Sequence, residues 1–177
     1  IYTSSFRMYR NARNLMLYSL ISTHQPIRYH SHDFSRSVNS ILKEVIVWYH
    51  NGVIKNTLNV LTSDWDIPLQ GIDNELLSIL FTELIDNALK FNSSAEKPPL
   101  IKLNTTDTGF IFTITNHTIP NVNFNLQDVQ PFTKMHKDDT LIGLGLGLFL
   151  CINIAKNIGC NLSLSIHSDV VSFTLTS

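Results

Sequence analysis

The sequence predicts an α+β fold, a two-layer α/β sandwich with helices laid on one face of a mixed, mainly antiparallel sheet. Three observations carry that expectation. Helical periodicity dominates the first half, over residues 4–23, 38–50 and 73–91. Strand-like alternation clusters late, at Leu100–Thr105, Phe110–Asn116, Leu162–His167 and Val171–Thr176. One more helical stretch, Gly143–Ile158, lies between the two strand pairs, an order that segregates helices from strands.

Each element has a local reason. Residues 4–23 set Phe6, Tyr9, Leu15, Leu17, Tyr18 and Ile21 among arginines, an amphipathic helix that Pro26 ends or soon follows. The polar stretch His24–Asp33 reads as a linker, and Phe34–Arg36 as a short strand. Val38–His50 repeats apolar residues at helical spacing, with Asn51-Gly52 as its stop. A strand lies within Val53–Leu61, before turn residues around Ser63, Asp64 and Pro68. Asp73 is a good N-cap for the helix that runs to about Phe91. A loop, Asn92–Pro99, leads to a hairpin turning at Thr106–Gly109. Residues 117–142 form a long irregular connection, a length that inside a compact domain often marks a functional lid. Gly159 caps the last helix, and a second hairpin closes the chain.

Bulk properties narrow the function. A chain of 177 residues suits one sizeable domain with a helical appendage, and Ile1 as first residue suggests a piece of a longer polypeptide. A net charge of −1 supplies no basic field for nucleic acid or an anionic membrane. Cys151 and Cys160 match no zinc spacing and are too few for a disulfide framework, which suits a reducing cytoplasm. No signal peptide is visible. The most apolar window, Leu141–Ile152, contains three glycines and falls short of the ~20 residues of a membrane span.

Two segments carry chemistry. In Glu83-Leu84-Ile85-Asp86-Asn87-Ala88-Leu89-Lys90-Phe91, the residues Glu83, Asn87 and Phe91 share one helix face. An exposed carboxylate, a carboxamide and a lysine there can hold a hydrated magnesium ion and phosphate oxygens. Alone, an amphipathic helix with a solvated polar face explains the segment better. The run Gly143-Leu144-Gly145-Leu146-Gly147-Leu148 opens a helix. Alternating glycines leave backbone N–H groups unshielded beside a helix N-terminus, a setting that favours phosphate. Close helix–sheet packing is the plainer explanation of those glycines.

Together, and in this order, the two segments resemble the ATPase superfamily shared by histidine kinases, type II topoisomerases and heat-shock chaperones. Val129-Gln130-Pro131-Phe132-Thr133-Lys134 is similar to the phenylalanine box of the kinase ATP lid, and Ser172-Phe173-Thr174-Leu175 to the closing strand. The resemblance covers residues 34–177 and implies a sensor histidine kinase catalytic domain of the Bergerat type. Residues 1–33 would then be the second helix of a dimerisation hairpin, plus a linker. It implies ATP and Mg2+ as cofactors, with Asn87 as the metal ligand and Lys90 near the phosphates. Phe91 takes the place beside adenine, and Asn116, Ser172 and Gly143 to Leu148 join the nucleotide-binding set. Glu83 sits at the general-base position. The implied partners are a response-regulator receiver domain and a second copy of the chain through its N-terminal helix, with the phosphoacceptor histidine upstream of Ile1.

The chain departs from the family at its first glycine box. Where relatives carry Asp-x-Gly-x-Gly after the central strand, this chain has Asn116-His117-Thr118-Ile119-Pro120. Asn116 stands at the position of the aspartate that accepts from the adenine amino group, and both glycines are gone. His117 and Thr118 are then expected to fill space that adenine would use. The alternative function is a pseudokinase or docking module that keeps the fold with weak or no ATP binding. A topoisomerase- or chaperone-type ATPase fits Glu83 but not the phenylalanine box.

Overall fold

The computed structural model describes residues 2–27, 36–52, 58–62, 71–119, 124–133 and 144–177, with side chains from residue 8 onward and none for 48–52. Its elements, in chain order, are α1 (Tyr2–Ser22), α2 (Val38–Gly52), β1 (Asn59–Thr62), α3 (Asn74–Lys90), β2 (Leu100–Thr106), β3 (Gly109–His117), a 3-10 turn (Leu126–Asp128), α4 (Gly147–Asn157), β4 (Asn161–His167) and β5 (Val170–Thr176).

The strands form one sheet in the order β1-β2-β3-β5-β4. The β1–β2 pair is parallel, with Asn59 opposite Leu100, and the other three pairs are antiparallel. Helix α3 makes the crossover that a parallel pair requires. The sheet is therefore mixed and mainly antiparallel, as the sequence predicts.

Strand alternation decides which face is covered. Ile101 and Leu103 on β2, Phe112 and Ile114 on β3, and Phe173 and Leu175 on β5 are buried. They pack against α3 and α4 through residues such as Leu80, Phe81, Leu84, Leu150 and Ile154. The ring of Phe81 lies 4.5 Å from that of Phe112. The other face is hydroxyl-rich, with Thr113 paired to Thr174 at 3.3 Å and Thr115 to Ser172 at 2.9 Å.

Local signals held at the ends of the elements. The Asp73 side chain accepts from the N–H groups of Glu75 and Leu76. Gly159 takes the left-handed conformation, φ 74°, while the Cys160 N–H closes on the Ala155 carbonyl at 2.8 Å. Two boundaries differ from expectation. Helix α4 begins at Gly147 rather than Gly143, because Gly145 adopts φ 69°, which an α-helix cannot continue through. The strand expected within Val53–Leu61 is Asn59–Thr62. Of the expected strand Phe34–Arg36, Phe34 and Ser35 lie outside the described residues and Arg36 is not in a strand.

On α1, Leu17 is fully buried and Tyr18 and Ile21 pack against the core, but Tyr9 and Leu15 do not. They join Met8 and Met16 on an exposed apolar face. Cys151 and Cys160 are buried free thiols. Burial pushes the Cys151 thiol well above its ordinary value and that of Cys160 up to about 11.

Candidate functional site

A cleft of about 1110 Å³, its solvent mouth included, opens between α3, the start of α4, the inner ends of β3 and β5, and α1. Asn87, Lys90 and Phe91 line it from α3 and its C-terminus, Asn116 from β3, and Leu144 to Leu148 from the approach to α4. Glu83 completes the expected group, one turn before Asn87. Gly143 lies outside the described residues, as do Lys134 of the phenylalanine box and the histidines His30, His32 and His136.

Ser172 is placed elsewhere. Its neighbours Val171 and Phe173 line the cleft, so alternation turns Ser172 to the opposite face of the sheet, where its hydroxyl meets Thr115.

Glu83 was expected to be exposed, and it is fully buried. Helix α1 covers it. Oε1 accepts from Arg13 Nη2 at 3.3 Å and Asn14 Nδ2 at 3.0 Å, and forms an ion pair with Arg10, whose Nε lies 3.2 Å away. Arg10 also reaches Asp86 at 2.7 Å through Nη2. Oε2 has no hydrogen-bond partner and faces Gly147, where an added Cβ would lie 2.9 Å from it. Two guanidinium groups offset the desolvation of this carboxylate, which burial without partners would forbid.

Arg10, Asn11 and Asn14 are thus cleft residues that the sequence reading passed over. A faint signal existed. Arg10 and Asn14 stand one turn apart, and Arg13 stands one turn before the buried Leu17, so polar groups adjoin the helix's inner face.

The glycines meet two different neighbours. Gly145 lies against the lid backbone, where a Cβ would sit 2.9 Å from the Phe132 carbonyl carbon and 3.0 Å from Thr133 N. Gly147 lies against α3, close to Glu83 and to the Asn87 carboxamide. Phe132 itself adopts φ 62° and meets Tyr18 of α1 edge-on, with ring centroids 4.8 Å apart. The segment around Phe132, α1 and the start of α4 therefore converge on the same cleft.

The segment that departs from the family is tied down on both sides. The Asn92 side chain accepts from the His117 N–H at 3.0 Å, and the Thr118 N–H donates to the Asp169 carbonyl at 2.7 Å. His117 Nδ1 lies 3.1 Å from Asp169 Oδ2, and this hydrogen bond is the main cause that holds the Asp169 carboxyl below its ordinary value. The His117 ring is not among the cleft-lining groups, so of the two residues expected to take up space there only Thr118 does.

Could these residues hold a nucleotide and magnesium? Among the described residues the Asn87 carboxamide makes no hydrogen bond, and it lies on the cleft wall beside Gly147. It can give one oxygen to a hydrated Mg2+, which needs few protein ligands. No group of three or more His, Cys, Asp or Glu among the described residues could cage a metal, so an ion here would rest on Asn87, water and phosphate. The N-terminus of the 11-residue α4, preceded by Gly145, offers backbone N–H groups to an anion. The donor set fits the group.

Residues 72–176, more than half of the chain, match the family described as "Histidine kinase-, DNA gyrase B-, and HSP90-like ATPase". The chain belongs to this family. This histidine kinase-like ATPase domain is of the ATP-binding type and resembles solved structures at low identity. Histidine kinase AdeS of Acinetobacter baumannii superposes with a TM-score of 0.67 at 16% identity, over 93% of this chain and 75% of that one. Full-length ShkA, solved in complex with AMPPNP, gives 0.69 at 15%, over 99% of this chain but 36% of ShkA. The catalytic domain of histidine kinase ThkA gives 0.61 at 18%, over 79% and 92%. No match is found among curated protein sequences.

Proposed function

We propose that the domain is the catalytic part of a two-component sensor histidine kinase. It would bind Mg-ATP and transfer the γ-phosphoryl group to a histidine outside this chain. The observation that carries this reading is the convergence of Asn87 and Lys90 with the glycine-bordered start of α4 in one cleft. Bound Mg-ATP would supply the phosphoryl group. Asn87 would hold the metal, and Lys90 would neutralise phosphate charge. The phenylalanine box around Phe132 favours a kinase over other ATPases of the family. Glu83 is the general-base candidate, and with Oε1 held by Arg13, Asn14 and the Arg10 ion pair only Oε2 is open to that role.

The same reading takes residues 1–33 as the second helix of a dimerisation hairpin with its linker, and 34–177 as the catalytic domain. Met8, Tyr9, Leu15 and Met16, exposed along α1, suit a helical partner from a second copy. The response-regulator receiver domain and the cytoplasmic setting belong to this proposal too. No helix among the described residues is long and apolar enough to cross a membrane.

The rival is a pseudokinase or docking module, favoured by Asn116 at the aspartate position. Titration with Mg-ATP in a calorimeter separates them. Saturable binding that Asn87→Ala weakens at least tenfold supports the kinase, and no binding at millimolar nucleotide supports the rival.

A further inference from the structure

We propose that the cleft accepts 6-oxopurine nucleotides, those of guanine and hypoxanthine, alongside adenine nucleotides. This rests on the nucleotide-binding function proposed above and names the range of bases that the site takes.

The observation is an unpinned amide. Asn116 is only 4% exposed, its side chain lines the cleft, and among the described residues it makes no side-chain hydrogen bond. Thr118, equally buried, lies on the same wall. Both side chains line the cleft, within reach of a bound ligand. The backbone at Asn116 is nonetheless fixed. It pairs with Val171 across the ladder, and the two residues after it are tied to Asn92 and Asp169. The carboxamide is therefore held in place but free to turn about its last bond.

Its chemistry follows from that freedom. A carboxamide presents an acceptor oxygen and a donor NH2 side by side, and a half-turn exchanges them. One orientation complements the edge of adenine, with its amino donor next to a ring-nitrogen acceptor. The other complements the edge of guanine or hypoxanthine, with a carbonyl acceptor next to a ring N–H. In guanine, the extra amino group would have the Thr118 hydroxyl as an acceptor. An ionised carboxylate at this position could only accept, and against hypoxanthine, which has one ring N–H beside its carbonyl, its second oxygen would oppose the 6-oxo group. Among the described lining residues the single carboxylate is Glu83, which is occupied by α1. Phe173 and Phe124, with ring centroids 6.5 Å apart, give the nearby wall an apolar surface suited to a planar base.

The test is competition between Mg-ATP, Mg-GTP and Mg-ITP for the 177-residue chain, followed by calorimetry. GTP and ITP are expected to bind within about tenfold of ATP, and Asn116→Asp to weaken ITP relative to ATP by about tenfold or more. That ratio is taken within one sample, so a variant that is partly unfolded still reports it. Asn116→Ala is expected to weaken all three alike. If wild type binds ATP but GTP and ITP more than about tenfold more weakly, or if Asn116→Asp leaves the ITP-to-ATP ratio unchanged, this inference fails and the nucleotide function stands. If wild type binds none of the three, the nucleotide function fails and takes the inference with it.

Discussion

Arg10 on α1 and Glu83 on α3, 73 positions apart in the chain, form an ion pair of 3.2 Å in which the carboxylate is fully buried. Arg10 also spans to Asp86, so one guanidinium joins two acidic residues a turn apart on α3. The N-terminal helix is thereby anchored onto α3 by charge, while Leu17 joins the core. Removing Arg10 leaves Glu83 with Arg13 and Asn14. Arg10→Ala should destabilise the chain by roughly 2–4 kcal/mol, since it strands part of a buried charge network. Glu83→Gln should cost less, because Arg10 keeps Asp86. Urea unfolding of both variants checks the order, and equal midpoints would refute it.

Gly145 is the second test. Its φ of 69° and the lid backbone 2.9 Å from a would-be Cβ leave no room for a side chain. Gly145→Ala should cost about 1–2 kcal/mol from the left-handed conformation alone. Displacing Phe132 and Thr133 should also weaken Mg-ATP binding. A melting temperature and an affinity both equal to wild type would contradict this.

The cap at Asp73 accepts two backbone N–H groups at 3.0 Å each. Asp73→Ala should therefore lower stability by about 1 kcal/mol. Since Asp73 lies at the far end of α3 from Lys90, nucleotide affinity measured on the folded protein should stay unchanged.

The His117–Asp169 pair predicts an acid-side effect. Asp169 has its folded value depressed below 3.8, chiefly by the hydrogen bond from His117. A depressed carboxyl contributes stability that is present above about pH 4 and is lost as pH falls through the folded value. His117→Ala should raise the Asp169 value back toward 3.8, read from the carboxyl carbon shift in an NMR titration. An unmoved titration would show that the pair is not coupled.

Cys160, with its thiol at about 11, is protonated at neutral pH, and both thiols are buried. Native protein at pH 8 should resist iodoacetamide, whereas urea-unfolded protein should take up two equivalents. Mass spectrometry distinguishes the two outcomes.

Much of the site was legible because its cues are local. A helix period sets Glu83, Asn87 and Phe91 on one face whatever surrounds them, and Asp73 and Gly159 act within one turn of their own positions. The strand parity of Val171, Ser172 and Phe173 was legible too. Apolar residues on either side of Ser172 already mark it as facing away from the core. The early start assigned to α4 was an error of backbone conformation, since glycine tolerates both the helical and the left-handed region and the lid contact chooses between them.

The sequence by itself determined the fold class, the order of helices and strands, and the two motif segments, because periodicity, capping and turn chemistry act over a few residues. Only the tertiary structure decided that Glu83 is buried under α1 and that Arg10 and Asn14 reach the cleft beside it. Those outcomes depend on which distant groups arrive within about 3 Å, where a hydrogen bond or ion pair can form. No local pattern specifies that.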